Sequence, residues 1–221
     1  METAANVSPL LEGLFAADKI CKPAGGLTAM MGMNAPGADA KVNQNDVAVK
    51  LFAYAFLSME EIGALELSVV EKKVLFVKTT SVQVKHGAQP LPTDGVLGGI
   101  MKNVVDGKTV RDAICAWFGR DFANPYSVFV QMVLEEAIAA GYLVRQQQNL
   151  GGAISNAFKG TLPTQRVPER AAEIENLRQA GAVRWAGFAA KDAALVDQVL
   201  KQCSSALDSR TESRNTDTSS F

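Results

Sequence analysis

Side chains that carry out catalysis are scarce in this chain. His86 is the one histidine among 221 residues, so at most one imidazole is available as a base or a metal ligand. No serine lies in a G-x-S-x-G setting, and no glycine pair follows the phosphate-binding patterns G-x-x-x-x-G-K-S/T or G-x-G-x-x-G. Glu60-Glu61 and Glu135-Glu136 are adjacent on predicted helices, where consecutive side chains point about 100° apart and cannot face one site together. We therefore predict a protein that is not an enzyme and has no catalytic residue, metal site or cofactor.

Cations surround a short apolar stretch around residue 150. A polar turn from Arg145 to Asn149 precedes the stretch Leu150 to Ile154, and Lys159 and Arg166 follow it. An apolar loop tip either folds back onto the protein's own core or contacts another surface. Cations beside an apolar tip suit shallow insertion into an anionic membrane, where each basic side chain contributes about 1 kcal/mol. The residues predicted to contact lipid or membrane are Arg145, Leu150, Gly151, Ile154 and Lys159.

Four lysines near another predicted hairpin allow two interpretations. They are Lys72, Lys73, Lys78 and Lys85. Four cations on a small sheet could bind phosphate groups, whereas lysines on exposed strand edges prevent pairing with other chains. We favour the protective role.

A helix, a glycine and a strand must position the loop around residue 150. Asn124-Pro125 supplies an N-cap followed by proline at the first helical position, and apolar residues follow at helical spacing. Gly141 lies where a helix C-terminus favours positive φ, and the β-prone residues 142–144 come next. This order predicts a helix, then a strand that leads into a projecting loop.

Composition excludes several classes of protein. The chain is 48% hydrophobic and 20% charged with a net charge of -1, so no overall basicity predicts binding to nucleic acid. The longest apolar run, Leu51 to Leu57, is far shorter than the ~20 residues of a membrane-spanning helix. Cys21, Cys115 and Cys203 are far apart and lack C-x-x-C spacing, which is typical of reduced thiols in a cytoplasmic protein. The N-terminus has no basic region before its apolar residues, so we expect no secretory signal.

The periodicity predicts a mainly α fold. It consists of a single helical domain at 45–207 with two small β-hairpins, a flexible N-terminal arm at 1–44 and a disordered C-terminal tail at 208–221. The predicted central helix runs from Asn45 to Ser68, and the first hairpin lies between Val74 and Val84. A charged helix at 166–179 is expected to end at Gly181, and a last helix is expected at 191–207.

Five segments resemble the Golgi phosphoprotein 3 family over about residues 45–200. In order they are ALELSVVEKKVLFV, LPTDGVLGGIMKNV, KTVRDAICAWFG, NPYSVFVQMVLEEAIAAGYLVRQQQ and GTLPTQRVPERAAEIENL. That family consists of peripheral proteins that bind phosphatidylinositol 4-phosphate, and it has bacterial relatives. The resemblance is one of order and spacing.

The resemblance implies a headgroup site and a projecting hairpin that touches membrane or a second subunit. It places the family's headgroup-binding aromatic residue near Leu51 and its arginines near Glu60, Ser127 and Val130. All four positions depart from the family pattern, and phosphate recognition depends on guanidinium groups. The resemblance therefore implies conservation of the fold and of the apolar loop, together with a homo-oligomer through the 145–159 loop, more than conservation of the headgroup site.

Three functional hypotheses follow. The first is a non-enzymatic adaptor, cytoplasmic or peripheral on an intracellular membrane, that binds phosphoinositide or another anionic lipid headgroup. The second is a protein-interaction scaffold with the same fold that has lost headgroup binding. The third, a winged-helix nucleic-acid binder, is disfavoured because the helix at 125–140 carries Glu135 and Glu136 and no arginine.

Overall fold

The helices of this computed structural model confirm a mainly α fold. The structure describes residues 7–25, 32–74, 77–146 and 163–212, and these form eight α-helices and three two-stranded antiparallel sheets. The helices are α1 Pro9–Phe15, α2 Ala17–Ile20, α3 Gln44–Glu61, α4 Gly95–Met101, α5 Val110–Phe118, α6 Pro125–Ala139, α7 Ala171–Lys191 and α8 Ala193–Ser209. The predicted disordered tail overlaps the end of α8, and its residues 213–221 lie outside the described part of the chain.

Each sheet is a pair of antiparallel strands. The strands are β1 Gly32–Asn34, β2 Lys41–Asn43, β3 Leu65–Val74, β4 Val77–His86, β5 Leu143–Arg145 and β6 Thr164–Arg166. They pair as β1–β2, β3–β4 and β5–β6. The first predicted hairpin is present as β3–β4 and is longer than expected. Strand β5 lies where a strand was predicted at 142–144, but its partner β6 was not predicted, because Arg166 was expected to begin the charged helix.

Helix α3 is the centre of the core. Phe52, Tyr54 and Phe56 are all fully buried, as the apolar residues on nearly every face of this helix predicted. The prediction that α3 continues to Ser68 is wrong, because Gly63 has a φ of 74° and the chain then enters β3. A positive φ of this kind interrupts a right-handed helix and is open mainly to glycine.

The prediction of a flexible arm at 1–44 does not hold for its described residues. Helix α1 lies in the core, and Leu10, Leu14 and Phe15 are fully buried. The Phe15 ring packs edge-on against Tyr142 at 5.5 Å between centroids. A helix of seven residues is too short to be stable alone, so its order depends on packing against α3 and α7, which the sequence of the arm does not reveal.

Helix α7 does not end at Gly181 as predicted but continues to Lys191. A Cβ at Gly181 would lie 2.5 Å from the Glu12 carbonyl oxygen, so the glycine allows α7 to approach α1 closely. Ion pairs flank this contact: Arg178 binds Asp18 at 2.7 Å, and Arg184 binds the Glu12 side chain at 2.9 Å. The hydrogen bond to Asp18 raises the pKa of Arg178, so this guanidinium stays charged.

Asp106 ties the end of β4 to the turn after α4. Its Oδ1 accepts hydrogen bonds from the His86 main-chain N–H at 2.8 Å and the His86 ring at 2.6 Å. These bonds hold the pKa of the Asp106 carboxyl below its usual value, with the main-chain bond as the largest cause. His86 is therefore an exposed residue at the end of the strand, held there by a structural partner.

We expect Asp106→Asn to reduce the pH dependence of unfolding in acid. Because the pKa is lower in the folded chain than in the unfolded chain, the carboxylate stabilises the fold above the unfolded pKa. That stabilisation is lost as the pH falls through the folded pKa, below about pH 4. Urea unfolding between pH 2 and 7 measures this effect, and Asp94→Asn is the control because its side chain makes no capping bond. Identical pH profiles for the wild type and Asp106→Asn would contradict it.

Candidate functional site

The β5–β6 hairpin positions the predicted contact loop. Val167 N donates to Tyr142 O at one end of the hairpin, and Gln146 N donates to Pro163 O at the other, both at 3.0 Å. The segment 147–162 therefore leaves and re-enters the described structure at neighbouring points. Hydrophobic burial fixes the inner side of the hairpin, since Leu143 is 1% exposed.

One of the five predicted contact residues lies in the described part of the chain. Arg145 is 63% exposed, and its Nη2 binds Glu135 Oε2 at 2.7 Å. Glu135, which lies on α6, thus orients the Arg145 side chain. This role for Glu135 was not predicted from the sequence. The other four predicted residues, Leu150, Gly151, Ile154 and Lys159, lie outside the described residues.

A cavity of about 700 Å³ adjoins the base of this hairpin. Its walls are the loop at 34–41, the three residues of β6, Leu143 and Gln146, and its floor is the start of α7 around Ile174. Such a volume lies within the range of about 300–1,000 Å³ that is typical of ligand sites. Sequence reasoning missed this site, because its walls come from segments more than a hundred positions apart.

The charges that line the cavity are mostly paired. Arg166 Nη2 binds Asp39 Oδ1 at 2.6 Å, which joins β6 to the loop at 34–41. Glu175 is bound by Arg178 at 3.0 Å. Lys41 is exposed, and its ammonium has no hydrogen-bond or ion-pair partner among the residues that the structure describes. Lys41 therefore gives this cavity an uncompensated positive charge.

The positions that the family resemblance assigned to headgroup binding do not form a site. Leu51 is 1% exposed, Ser127 5% and Val130 0%. Glu60 is occupied by an ion pair with Lys191 at 3.0 Å. Three of these four positions are therefore core residues, and the fourth carries a negative charge that repels phosphate.

The lysines of the β3–β4 hairpin that are described bind carboxylates of the same hairpin. Lys85 binds Glu66 at 3.1 Å, and Lys78 lies 3.9 Å from Glu71. The side chains of Lys72 and Lys73 lie outside the described part of the structure. Pairing of this kind fits the protective role better than phosphate binding.

The cysteines and the acidic residues form no reactive cluster in the described ranges. Burial raises the pKa of the Cys21 thiol to about 12 and also raises that of Cys203, so neither is a nucleophile at neutral pH. Among the described residues, no group of three or more histidine, cysteine, aspartate or glutamate side chains could hold a metal ion. No helix in those ranges is both long and apolar enough to cross a bilayer.

Comparison with known proteins gives no match. No protein-family model, curated protein or solved structure is similar to the chain at a significant level. The resemblance to the Golgi phosphoprotein 3 family therefore stays a prediction from sequence order and spacing.

Proposed function

We propose that this protein is a non-enzymatic peripheral adaptor that binds an anionic membrane surface through its β5–β6 hairpin. The main observation in support is that the Gln146–Pro163 hydrogen bond closes the hairpin directly beside the exposed Arg145. The closure brings together Gln146 and Pro163, the described residues that precede and follow the segment 147–162. Leu150 and Ile154 would enter the lipid, and Arg145 and Lys159 would lie at headgroup level.

Further cations at the same end support this proposal. Gln146 follows Arg145 and lines the cavity together with Lys41, whose charge is uncompensated, and with Arg166, which is paired with Asp39. Basic groups on one side of a protein attract anionic lipids even when the net charge is near zero, because the attraction falls off within a Debye length of about 8–10 Å. The family resemblance suggests phosphatidylinositol 4-phosphate as the lipid.

We expect Leu150→Asp to lower vesicle affinity by more than ten-fold, because it removes an apolar group worth about 1.5–3 kcal/mol and adds a repelled charge. Arg145→Gln should lower affinity about five-fold, which corresponds to the loss of one cation near the surface. Flotation with vesicles of phosphatidylcholine and phosphatidylserine, with and without phosphatidylinositol 4-phosphate, measures both effects.

Matched controls are available elsewhere on the surface. Val183→Asp adds the same charge at a valine that is 72% exposed on α7. Lys201→Gln removes a cation that is 64% exposed and singly paired, much like Arg145. Both controls should float like the wild type. If the protein does not float in low salt at all tested contents of anionic lipid, membrane binding is refuted.

The burial of Leu51, Ser127 and Val130 favours a second candidate, a protein-interaction scaffold of the same fold without headgroup binding. This candidate predicts no flotation and self-association through the 145–159 loop. Light scattering would then give a dimer or larger species that Leu150→Asp dissociates. A monomer at every concentration, combined with flotation, would exclude the scaffold.

A further inference from the structure

The cavity beside the β5–β6 hairpin is bordered by an unpaired strand edge. Hydrogen-bonded and non-hydrogen-bonded pairs alternate along antiparallel strands. The bonds Val167–Tyr142 and Gln146–Pro163 fix this alternation, so Thr164 and Arg166 direct their main-chain N–H and C=O groups away from β5. In the described part of the chain, no other main-chain group pairs with them.

The opposite wall offers a second edge of the same kind. Ala35 N donates to Ala40 O at 2.8 Å, which makes the next pair, Asn34 and Lys41, a non-hydrogen-bonded one. Asn34 therefore directs its main-chain groups away from β2, and it also lines the cavity. All three residues of β6 line the cavity, whereas Leu143 is the one residue of β5 that does so.

We propose that this cavity binds an extended segment of a partner protein, which adds a strand to the free edge of β6 and places a carboxylate near Lys41. Unpaired strand edges are the recurring docking sites of extended peptides, because the main chain supplies the hydrogen bonds and side-chain pockets select the sequence. This interaction goes beyond membrane binding. It uses none of the five predicted membrane-contact residues, although Lys41 and Arg166 also belong to the basic groups near that contact.

Charge and size define the occupant. Asp39 and Glu175 are held by Arg166 and Arg178, so Lys41 is the cavity charge without a partner in the described ranges. The partner segment therefore carries a glutamate, an aspartate or a C-terminal carboxylate. A strand advances about 3.3 Å per residue, so a segment of about three to five residues covers β6. Several extended residues fit within about 700 Å³.

The test uses a short synthetic peptide of alternating threonine and valine with one glutamate, together with a panel that moves the glutamate along it. Amide resonances of the isotope-labelled full-length protein are followed during titration. We expect the Thr164 and Arg166 amides to shift and to become protected from hydrogen exchange. A peptide with N-methyl groups on its edge-facing amides keeps the side chains but cannot pair, and we expect it not to bind.

Two pairs of variants separate main-chain pairing from side-chain contact. Thr164→Pro removes the outward N–H and should abolish binding; proline is tolerated on an edge strand at a position whose N–H faces outward. Thr164→Val keeps the N–H and should bind like the wild type. Lys41→Gln should weaken the glutamate peptide about ten-fold, the typical loss of a charged hydrogen bond. It should leave a glutamine peptide unchanged. Circular dichroism confirms that each variant is folded.

Three results would overturn the proposal. The first is a failure of main-chain pairing, seen either as no shift at Thr164 and Arg166 for the whole panel at millimolar concentration or as equal binding of the N-methylated peptide. The second is protection of the Thr164 amide without any peptide at low protein concentration, which would mean that the chain's own residues occupy the edge. The third is a shift that depends on protein concentration alone, which would mean that two copies pair there.

Discussion

Replacement of Phe52 by alanine is expected to lower the free energy of unfolding by about 3–5 kcal/mol. Phe52 is fully buried on α3, and its ring stacks on Phe129 of α6 at 3.6 Å between centroids. It also meets Trp117 edge-on at 5.7 Å, which links the central helix to α5. The alanine variant loses the transfer free energy of a phenyl ring, leaves a cavity among rings that cannot collapse, and breaks contacts among three helices.

Urea unfolding followed by circular dichroism measures this effect. Phe52→Leu is the matched control: it keeps most of the buried volume and loses the ring contacts, which are worth about 0.5–1.5 kcal/mol per pair. We therefore expect it to lie between the wild type and the alanine variant. A loss below about 1 kcal/mol for Phe52→Ala would mean that these rings do not form the packed centre of the core.

Replacement of Gly181 by alanine is expected to destabilise the protein by about 1–3 kcal/mol, although alanine is the better helix former. The new Cβ would lie 2.5 Å from Glu12 O and 2.9 Å from the Ala16 Cβ. Glu12 O accepts the N–H of Ala16, the residue that caps the C-terminus of α1, so it cannot move without breaking this capping hydrogen bond. Helix α7 would move away from α1 and strain the ion pair between Arg184 and Glu12.

The same helix contains the control. A Cβ at Gly187 would meet no atom within 4 Å, so Gly187→Ala should stabilise the protein by about 0.5–1 kcal/mol. The two substitutions are chemically identical and have opposite predicted signs. Chemical denaturation of both variants tests the α1–α7 contact directly, and two shifts of the same sign would show that this contact does not limit residue 181.

Local signals in the sequence predicted much of the fold. Asn124 caps α6 as predicted, with its side chain accepting from Ser127 N, and the apolar residues on nearly every face of α3 predicted a central helix. The errors arose where tertiary contacts decide. In the sequence Gly181 resembles a residue that ends a helix, but in the structure it lies within α7 and allows the close approach of α1.

The candidate site was predicted less completely than the fold. The apolar stretch and Arg145 were visible as neighbours along the chain. The cavity was not visible, because the Arg166–Asp39 ion pair joins residues 127 positions apart. No periodicity connects these segments. A strand edge is open when no other strand pairs with it, and a single sequence does not reveal which strands pair.

The contact of α1 with α7 has a consequence for synthesis on the ribosome. Glu12 and Arg184 are separated by 172 positions, so α1 cannot complete its packing until α7 has emerged. Closure over such a distance slows folding, because chain entropy is lost before these contacts form. Until then the part of α1 that packs against α7 is open to chaperones and to aggregation, and premature termination before α7 would leave that part uncovered.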